Sequence, residues 1–326
     1  MNIIGIGNAL TDMLIPIENY GIANDLGLSH GGMVMIDDAQ FALFKEKTSH
    51  LDKSFAAGGS AGNTIYGTAK LGLNASFIGK VGDDEVGREY EKDMKNNNVT
   101  PILLRGDKPS GCAMAFITPD SERTFASYLG AAQTLTPEDV NEDMLRGHDL
   151  LHIEGYLLFN HELVLAIVKM AKHLGITVSL DLAAHNFVKE NRDMVQLLVR
   201  DYVDICFANE EESMALTGTD PKNALDKIAN SCDYAVVKTG SKGALIKHKN
   251  EISQIPAYKV SKVVDTTGAG DLYAAGFFFG LANDYSMNVC GKIGALVAAT
   301  VIQNYGTRIS DDNWSNIKQN IADIVK

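Results

Sequence analysis

The stretch DTTGAGDLYAAGFFFGL, residues 265 to 281, sets three small residues, Gly268, Ala269 and Gly270, directly before an acid and an apolar run of helical length. Glycine beside a helix start costs backbone entropy, and Asp271 is followed by residues so apolar that it must stand near a buried surface. A bare helix N-terminus aims unpaired backbone N–H groups and the positive end of the helix dipole at one point, which suits an anion such as phosphate. Asp271 can then take the proton from a hydroxyl that attacks phosphorus. The same four residues also read as a helix-capping acid after a glycine turn, and alone they do not choose between the two.

Three other segments put polar groups where apolar runs end: AGGSAGN (57 to 63), ANEEE (208 to 212) and VKTGSKG (237 to 243). In ANEEE, Asn209 and Glu212 are three apart at a helix start, so their side chains can share a face and hold a hydrated Mg²⁺ against phosphate oxygens. Capping by Asn209, with first-turn acids that complement the dipole, explains the same residues without a metal. Better-known motifs fail. GIGNALTD has Leu10 where a dinucleotide fingerprint needs glycine, and NASFIGKV has Asn74 and Val81 where a P-loop needs Gly and Ser or Thr. His148 and His152 in HDLLH have metal spacing for a helix but fall at a strand start without the Glu of HExxH, so they read as structural.

Such residues need a scaffold, and the rest of the chain supplies one. Residues 3 to 7, 75 to 81, 149 to 155, 177 to 183, 203 to 209 and 234 to 240 are strand-length apolar runs. Helical patterns separate them, such as SAGNTIYGTAKLG, DEVGREYEKDMKNN, ELVLAIVKMAKHLG and DPKNALDKIANS. The alternation predicts an α/β fold: a doubly wound, mostly parallel sheet with helices on both faces. Two stretches break the rhythm, about 10 to 37 and 110 to 130, the second with TPDSE joining two strand-like runs as a hairpin would. They predict a small β-sheet lid over the carboxyl ends of the strands, within one domain spanning residues 1 to 326. From Asp271 to Lys326 the pattern is almost wholly helical.

Composition narrows the partners. A net charge of −12 with scattered basic residues lacks the footprint of a nucleic-acid binder, so a small molecule is expected. The four cysteines, Cys112, Cys206, Cys232 and Cys290, form no CxxC pair and suit a reducing compartment. Met1 leads into NIIGIGNAL without a charged n-region, and LYAAGFFFGLA is too short to span a bilayer. The expectation is a cytoplasmic protein with no membrane partner.

The order and spacing of these motifs resemble the ribokinase-like, PfkB-type family of carbohydrate and nucleoside kinases over essentially the full length. DTTGAGD is similar to that family's C-terminal signature, GGSAGNTIYGTAKLG with FIGKVGDDEVG to its N-terminal one, and NEEE to its Asn-x-x-Glu element. The resemblance implies transfer of the γ-phosphoryl of ATP to a CH₂OH group. Asp271 would be the base, with Gly268, Ala269 and Gly270 as the anion hole. Asn209 and Glu212 would organise Mg²⁺, Glu212 through water, and Thr239 with Gly240 would touch the ATP phosphates. Many members also bind a monovalent cation such as K⁺, and Asp265, Thr267, Gly306 and Ser310 sit at the matching places. A homodimer through the lid is compatible with the family.

GNALTD and GGSAGN resemble the adenosine kinase branch most. Asn8, Asp12, Gly58, Gly59 and Asn63 would meet vicinal sugar hydroxyls, which want paired acid and amide acceptors and a bare backbone. SERTFASYLGAA is similar to a segment in which the arginine, here Arg123, comes down from the lid. The branch's aromatic pair after a strand glycine is here Tyr156-Leu157, only half aromatic, and Phe116, Phe125 and Tyr128 are the lid aromatics that could supply stacking instead. The resemblance thus implies an adenosine kinase, with a ribokinase or fructokinase as the alternative. A non-catalytic ligand sensor on the same fold is a more remote one.

Overall fold

The computed structural model describes every residue but His30 and residues 120–122, and every side chain but theirs and those of Met33 and Arg123. The strands are β1 (Asn2–Ile6), β2 (Leu10–Pro16), β3 (Met33–Met35), β4 (Ser54–Ala57), β5 (Asn74–Gly82), β6 (Val99–Gly106) and β7 (Gly111–Ile117). They continue with β8 (Arg123–Tyr128), β9 (Leu150–Glu154), β10 (Thr177–Asp181), β11 (Ile205–Asn209), β12 (Tyr234–Lys238), β13 (Ala244–His248) and β14 (Glu251–Ile255). One sheet has the order β14-β13-β12-β11-β10-β9-β1-β5-β6 and the other β3-β8-β7-β2-β4.

From β12 to β6 the large sheet is parallel, and β13 and β14 add an antiparallel edge. The six apolar runs in the sequence are its central strands. β6 escapes that reading because Pro101 interrupts it, a residue an edge strand tolerates. Alternation along β1 shows why helices cover both faces: Ile3 packs with Phe77, Phe207 and Phe277, whereas Ile4 and Ile6 pack with Leu163, Ile167 and Leu198. Strand order reverses at β1, which lies between β9 and β5, so the crevice expected of a doubly wound sheet opens where β1 and β9 end.

The small sheet takes β2 and β3 from the first irregular stretch, β7 and β8 from the second, and also β4, which pairs Ala57 with Thr11 and lies outside both of them. β7 and β8 form the expected antiparallel pair, Ile117 opposite Arg123, around the TPDSE turn. Residues of TPDSE from 120 to 122 lie outside the described residues. One face of this sheet is closed by the helix Asp38–Lys47, whose Phe41 stacks on Tyr128 at 4.2 Å between ring centroids. Phe116 and Tyr128 are therefore core, each 1% exposed, and neither is available to stack on a ligand. That corrects part of the expectation. Phe125 alternates to the opposite face, in register with Ala115 and, beyond it, Leu14.

The chain ends in the helices Ala269–Ala282, Met287–Val301 and Asp311–Ile324, as the sequence predicts. His148, bonded to Leu145 and Ser76, and His152, bonded to Ser179 and edge-on to Phe278, are structural. Among the described residues no helix is long and apolar enough to cross a membrane, and none of the cysteines is in a disulfide.

The first two of these terminal helices meet through glycines. A Cβ on Gly276 would lie 2.8 Å from the Cα of Gly294, and one on Gly280 would lie 2.7 Å from the Cα of Cys290. Backbone cannot swing aside as a flexible side chain can. Gly276→Ala is expected to lower the unfolding free energy by about 1 to 2 kcal/mol, because overpacking outweighs the helix propensity that alanine adds. Urea unfolding checks this, and a more stable variant would mean that the two helices slide apart freely.

Candidate active site

Where β1 ends, the chain must turn tightly around a buried acid. Glu154, the last residue of β9 and 1% exposed, accepts from the Asn8 backbone N–H at 2.9 Å and its side-chain amide at 2.7 Å. Its other oxygen accepts from the backbone N–H of Ala61 at 2.8 Å, in the first turn of the helix Ser60–Leu71. A Cβ on Gly7 would come within 2.6 Å of this carboxyl carbon, so glycine is required there. Burial pushes the Glu154 carboxyl above its ordinary range against the pull of these donors. Asn8 keeps one polar atom, Oδ1, that is buried and has no hydrogen-bond partner among the described residues.

The two glycines before the Ser60–Leu71 helix answer different constraints. Gly59 has φ of +81° and a Cβ there would meet the Asn8 carbonyl oxygen, while a Cβ on Gly58 would sit 2.9 Å from the carboxylate of Asp12. Asp12 lies on the same face of the small sheet as Leu14 and Phe125, opposite the face closed by the Asp38–Lys47 helix. The side chain of Arg123 lies outside the described residues. Tyr156 follows β9 on the opposite rim, 38% exposed and edge-on to Phe187 at 5.4 Å.

Asp271 stands in the first turn of the Ala269–Ala282 helix. Its Oδ1 accepts from the Ser60 hydroxyl at 2.8 Å and its Oδ2 from the Asn63 amide at 3.0 Å. Asn63 in turn accepts from the Thr307 hydroxyl at 3.0 Å, so both ends of its amide hold protein groups and its contribution is to orient Asp271. Burial pushes the Asp271 carboxyl up to about 7, with the Asn63 and Ser60 hydrogen bonds pulling the other way. Gly268 caps the helix with φ of +73°. The three expected anion-hole residues differ: Ala269 spends its N–H on the Thr266 carbonyl at 3.2 Å, and Leu272 bonds back to Gly268 at 2.9 Å. The N–H groups of Gly270 and Asp271 have no backbone partner among the described residues.

Beyond this helix start lies a cluster of charges at the strand ends. Asp181 ends β10 and Lys238 ends β12, and their side chains form an ion pair at 2.7 Å with only 5% and 16% exposure. Asn209 and Glu212 form a reciprocal capping box: the Glu212 carboxylate accepts from the Asn209 N–H at 2.8 Å and its amide at 2.6 Å, and Asn209 accepts from the Glu212 N–H at 2.8 Å. The capping interpretation thus holds as structure. Burial and the neighbouring Asp181 push the Glu212 carboxyl up to about 7. Thr239 is buried just past β12, and Gly240, with φ of +55°, opens a short 3₁₀ turn beside it.

The Asp265 carboxylate gathers the Thr267 N–H and hydroxyl at 2.9 and 2.7 Å and the Gly306 N–H at 2.9 Å. Ser310 is not drawn into that loop by a hydrogen bond and instead caps the Asp311–Ile324 helix through the Asn313 N–H. Sequence reasoning overlooked Ser60, Glu154, Asp181, Lys238 and Thr307. A signal existed for three of them, since Glu154, Asp181 and Lys238 are charged residues closing buried apolar strands, where an unpaired charge would be costly.

Residues 32–314 match the pfkB family carbohydrate kinase. An uncharacterized sugar kinase of Archaeoglobus fulgidus is 32% identical over 245 residues, covering 74% of this chain and 96% of that protein. A 5-dehydro-2-deoxygluconokinase of Listeria monocytogenes is 31% identical over 81% of this chain and 86% of its own. Among solved structures, a probable sugar kinase of Rhizobium etli superposes with a TM-score of 0.85 at 34% identity, covering 99% of both chains. An adenosine kinase of Sinorhizobium meliloti gives 0.84 at 34% identity, covering 98% of this chain and 99% of its own. With a ribokinase-like fold, a half-buried acid at a bare helix start and these relatives, the chain belongs to the pfkB family of carbohydrate kinases and is a phosphotransferase.

Proposed function

We propose that this kinase transfers the γ-phosphoryl group of ATP to the primary hydroxyl of a nucleoside, adenosine first among them, with the small sheet acting as a lid. The observation that carries the chemistry is Asp271, half-buried, fixed by Ser60 and Asn63, and adjacent to two backbone N–H groups without backbone partners among the described residues. Its carboxylate accepts the hydroxyl proton as the oxygen–phosphorus bond forms, the N–H groups meet the charge on the transferred phosphoryl, and ADP leaves with the electron pair of the broken bond. Asn209 and Glu212 fit a hydrated Mg²⁺ held through water, because both Glu212 oxygens already accept from Asn209 and only further lone pairs remain. That ion supplies neutralising charge between the phosphates. Thr239 and Gly240 would meet the ATP phosphates, and the Asp265 loop with Thr267 and Gly306 would hold a monovalent cation.

The nucleoside reading rests on Asp12 beside Gly58, on Phe125 on the same sheet face, and on the similarity to the Sinorhizobium meliloti adenosine kinase. A sugar is the second reading. It is favoured by the burial of Phe116 and Tyr128, which removes two stacking surfaces, and by the relatives named as sugar kinase and 5-dehydro-2-deoxygluconokinase.

If Asp271 is the base, it must be ionised to work, so kcat/KM is expected to fall about tenfold per unit as pH drops below the neighbourhood of 7. Asp271→Asn keeps the shape and is expected to lower kcat by about 10² to 10⁴ and to abolish that acid limb, with little change in substrate affinity. A variant with retained turnover and an unchanged profile would exclude this residue as base.

Asp12→Ala is expected to lower kcat/KM for the true substrate by at least about 2 kcal/mol, since two hydrogen bonds to a charged acceptor vanish together. An exposed structural acid would cost no more than about 0.5 kcal/mol. Adenosine should outperform 2′-deoxyadenosine in the intact enzyme, and the preference should shrink in the variant. Coupled ADP release across a panel of nucleosides and sugars decides the substrate: ribose or fructose turned over with both nucleosides inert would install the sugar reading instead.

A further inference from the structure

Lys238 has no part in the roles assigned so far, yet it is a mostly buried cation at the strand ends beside Asp271 and Glu212. It ends β12, opposite Asn209 of β11, and its side chain crosses the ring of Phe207, 6.0 Å from the centroid, to reach Asp181 on β10. Withdrawing an ammonium this far from water is costly, and one carboxylate uses one of its three N–H donors. No further hydrogen bond engages it among the described residues, and 16% of its side chain is exposed. Its position explains a glycine. A Cβ on Gly270 would lie 2.8 Å from Nζ, so the bare helix start that leaves backbone N–H groups exposed also makes room for this ammonium.

We propose that Lys238 is a catalytic residue, the cationic partner of the Gly270 and Asp271 N–H groups, and that its two unspent donors contact the phosphoryl group during transfer while Asp181 holds the ammonium in place. This rests on the phosphoryl group lying at the start of the Ala269–Ala282 helix. The geometry favours it over a purely structural ion pair. A pair that served only stability would not need its cation against the helix start where the Gly270 and Asp271 N–H groups lack backbone partners among the described residues. The carboxylates of Glu212 and Asp271 raise the Lys238 ammonium further, which keeps it charged beside an incoming polyanion. In the step itself the acceptor oxygen bonds to phosphorus, the bond to the bridging oxygen of ADP breaks, and the proton goes to Asp271. Lys238 donates throughout and transfers nothing.

The test compares Lys238→Met, Asp181→Asn and the double variant, the last avoiding an unpaired buried carboxylate should Lys238→Met fold poorly. The readouts are kcat and the affinities for ADP alone and for ADP with aluminium fluoride, which mimics the transferred group. In the double variant kcat and the aluminium fluoride complex are expected to weaken about 100-fold while ADP affinity stays within about threefold. Asp181→Asn, which keeps the ammonium, is expected to lose no more than about tenfold. Equal losses in Asp181→Asn and the double variant would overturn the proposal, as would ADP and its aluminium fluoride complex weakening together, or turnover of the double variant within about threefold of the parent. Asp271→Asn, measured alongside, separates the two levels: if it too leaves turnover intact, the helix start is not the site, whereas its loss alone removes only the role of Lys238.

Discussion

The carboxylate of Glu154 holds together three pieces of chain that would otherwise have no reason to meet. Two of its partners are donors of Asn8, just past β1, and the third is the N–H of Ala61 in the helix that follows β4. A buried carboxylate without such donors would be strongly disfavoured, and a helix start without an acceptor would leave orphan N–H groups. Each defect answers the other. The consequence reaches the site directly, because fixing Ala61 fixes Ser60 and Asn63 on the same turn, and these orient Asp271 from the opposite end of the sequence. Thr307, anchoring the far side of the Asn63 amide, closes the network through a third segment.

The charges around that network follow one economy of burial. Asp271 and Glu212 are each pushed up to about 7 by desolvation, and between their elements Asp181 is held in an ion pair with Lys238. Capping and metal binding by Asn209 and Glu212 are accordingly not rival explanations. The capping box spends one lone-pair direction of each Glu212 oxygen and holds the carboxylate rigid, which is what an acid that orders the waters of a cation requires.

Period and punctuation made the six central strands of the large sheet legible, and the position of DTTGAGD after them pointed to the crevice. Edges were less so. β6 carries a proline, and β13 and β14 alternate with polar residues as exposed strands do. On the small sheet, period 2 puts Phe116 and Tyr128 on one face but does not say which face is covered; that is decided by Phe41 and Phe44 of a helix with almost no amphipathic contrast in its sequence. The same limit applied to polar groups. The resemblance offered Asn63 to a sugar's hydroxyls, whereas the structure engages both ends of its amide, on Asp271 and Thr307, and has Ala269 spend an N–H expected to face an anion.

Under the proposed function, transfer and recognition sit on separate parts of the fold. The groups proposed to handle the phosphoryl are fixed by the large sheet and two helix starts, where Glu154, Asn63 and the Asp181–Lys238 pair leave little freedom to vary. In that reading the groups that meet the acceptor come from the small sheet, one face of which carries Asp12, Leu14 and Phe125 beside Ala113. Exchanging those side chains alters the shape offered to a ring or a base without disturbing any hydrogen bond to Asp271. Relatives named as sugar, deoxygluconate-type and adenosine kinases on one fold are what such a division permits. In this chain side-chain bulk is omitted at Gly58, directly against the Asp12 carboxylate, which on the proposed function is where a hydroxyl-bearing ring would approach that acid.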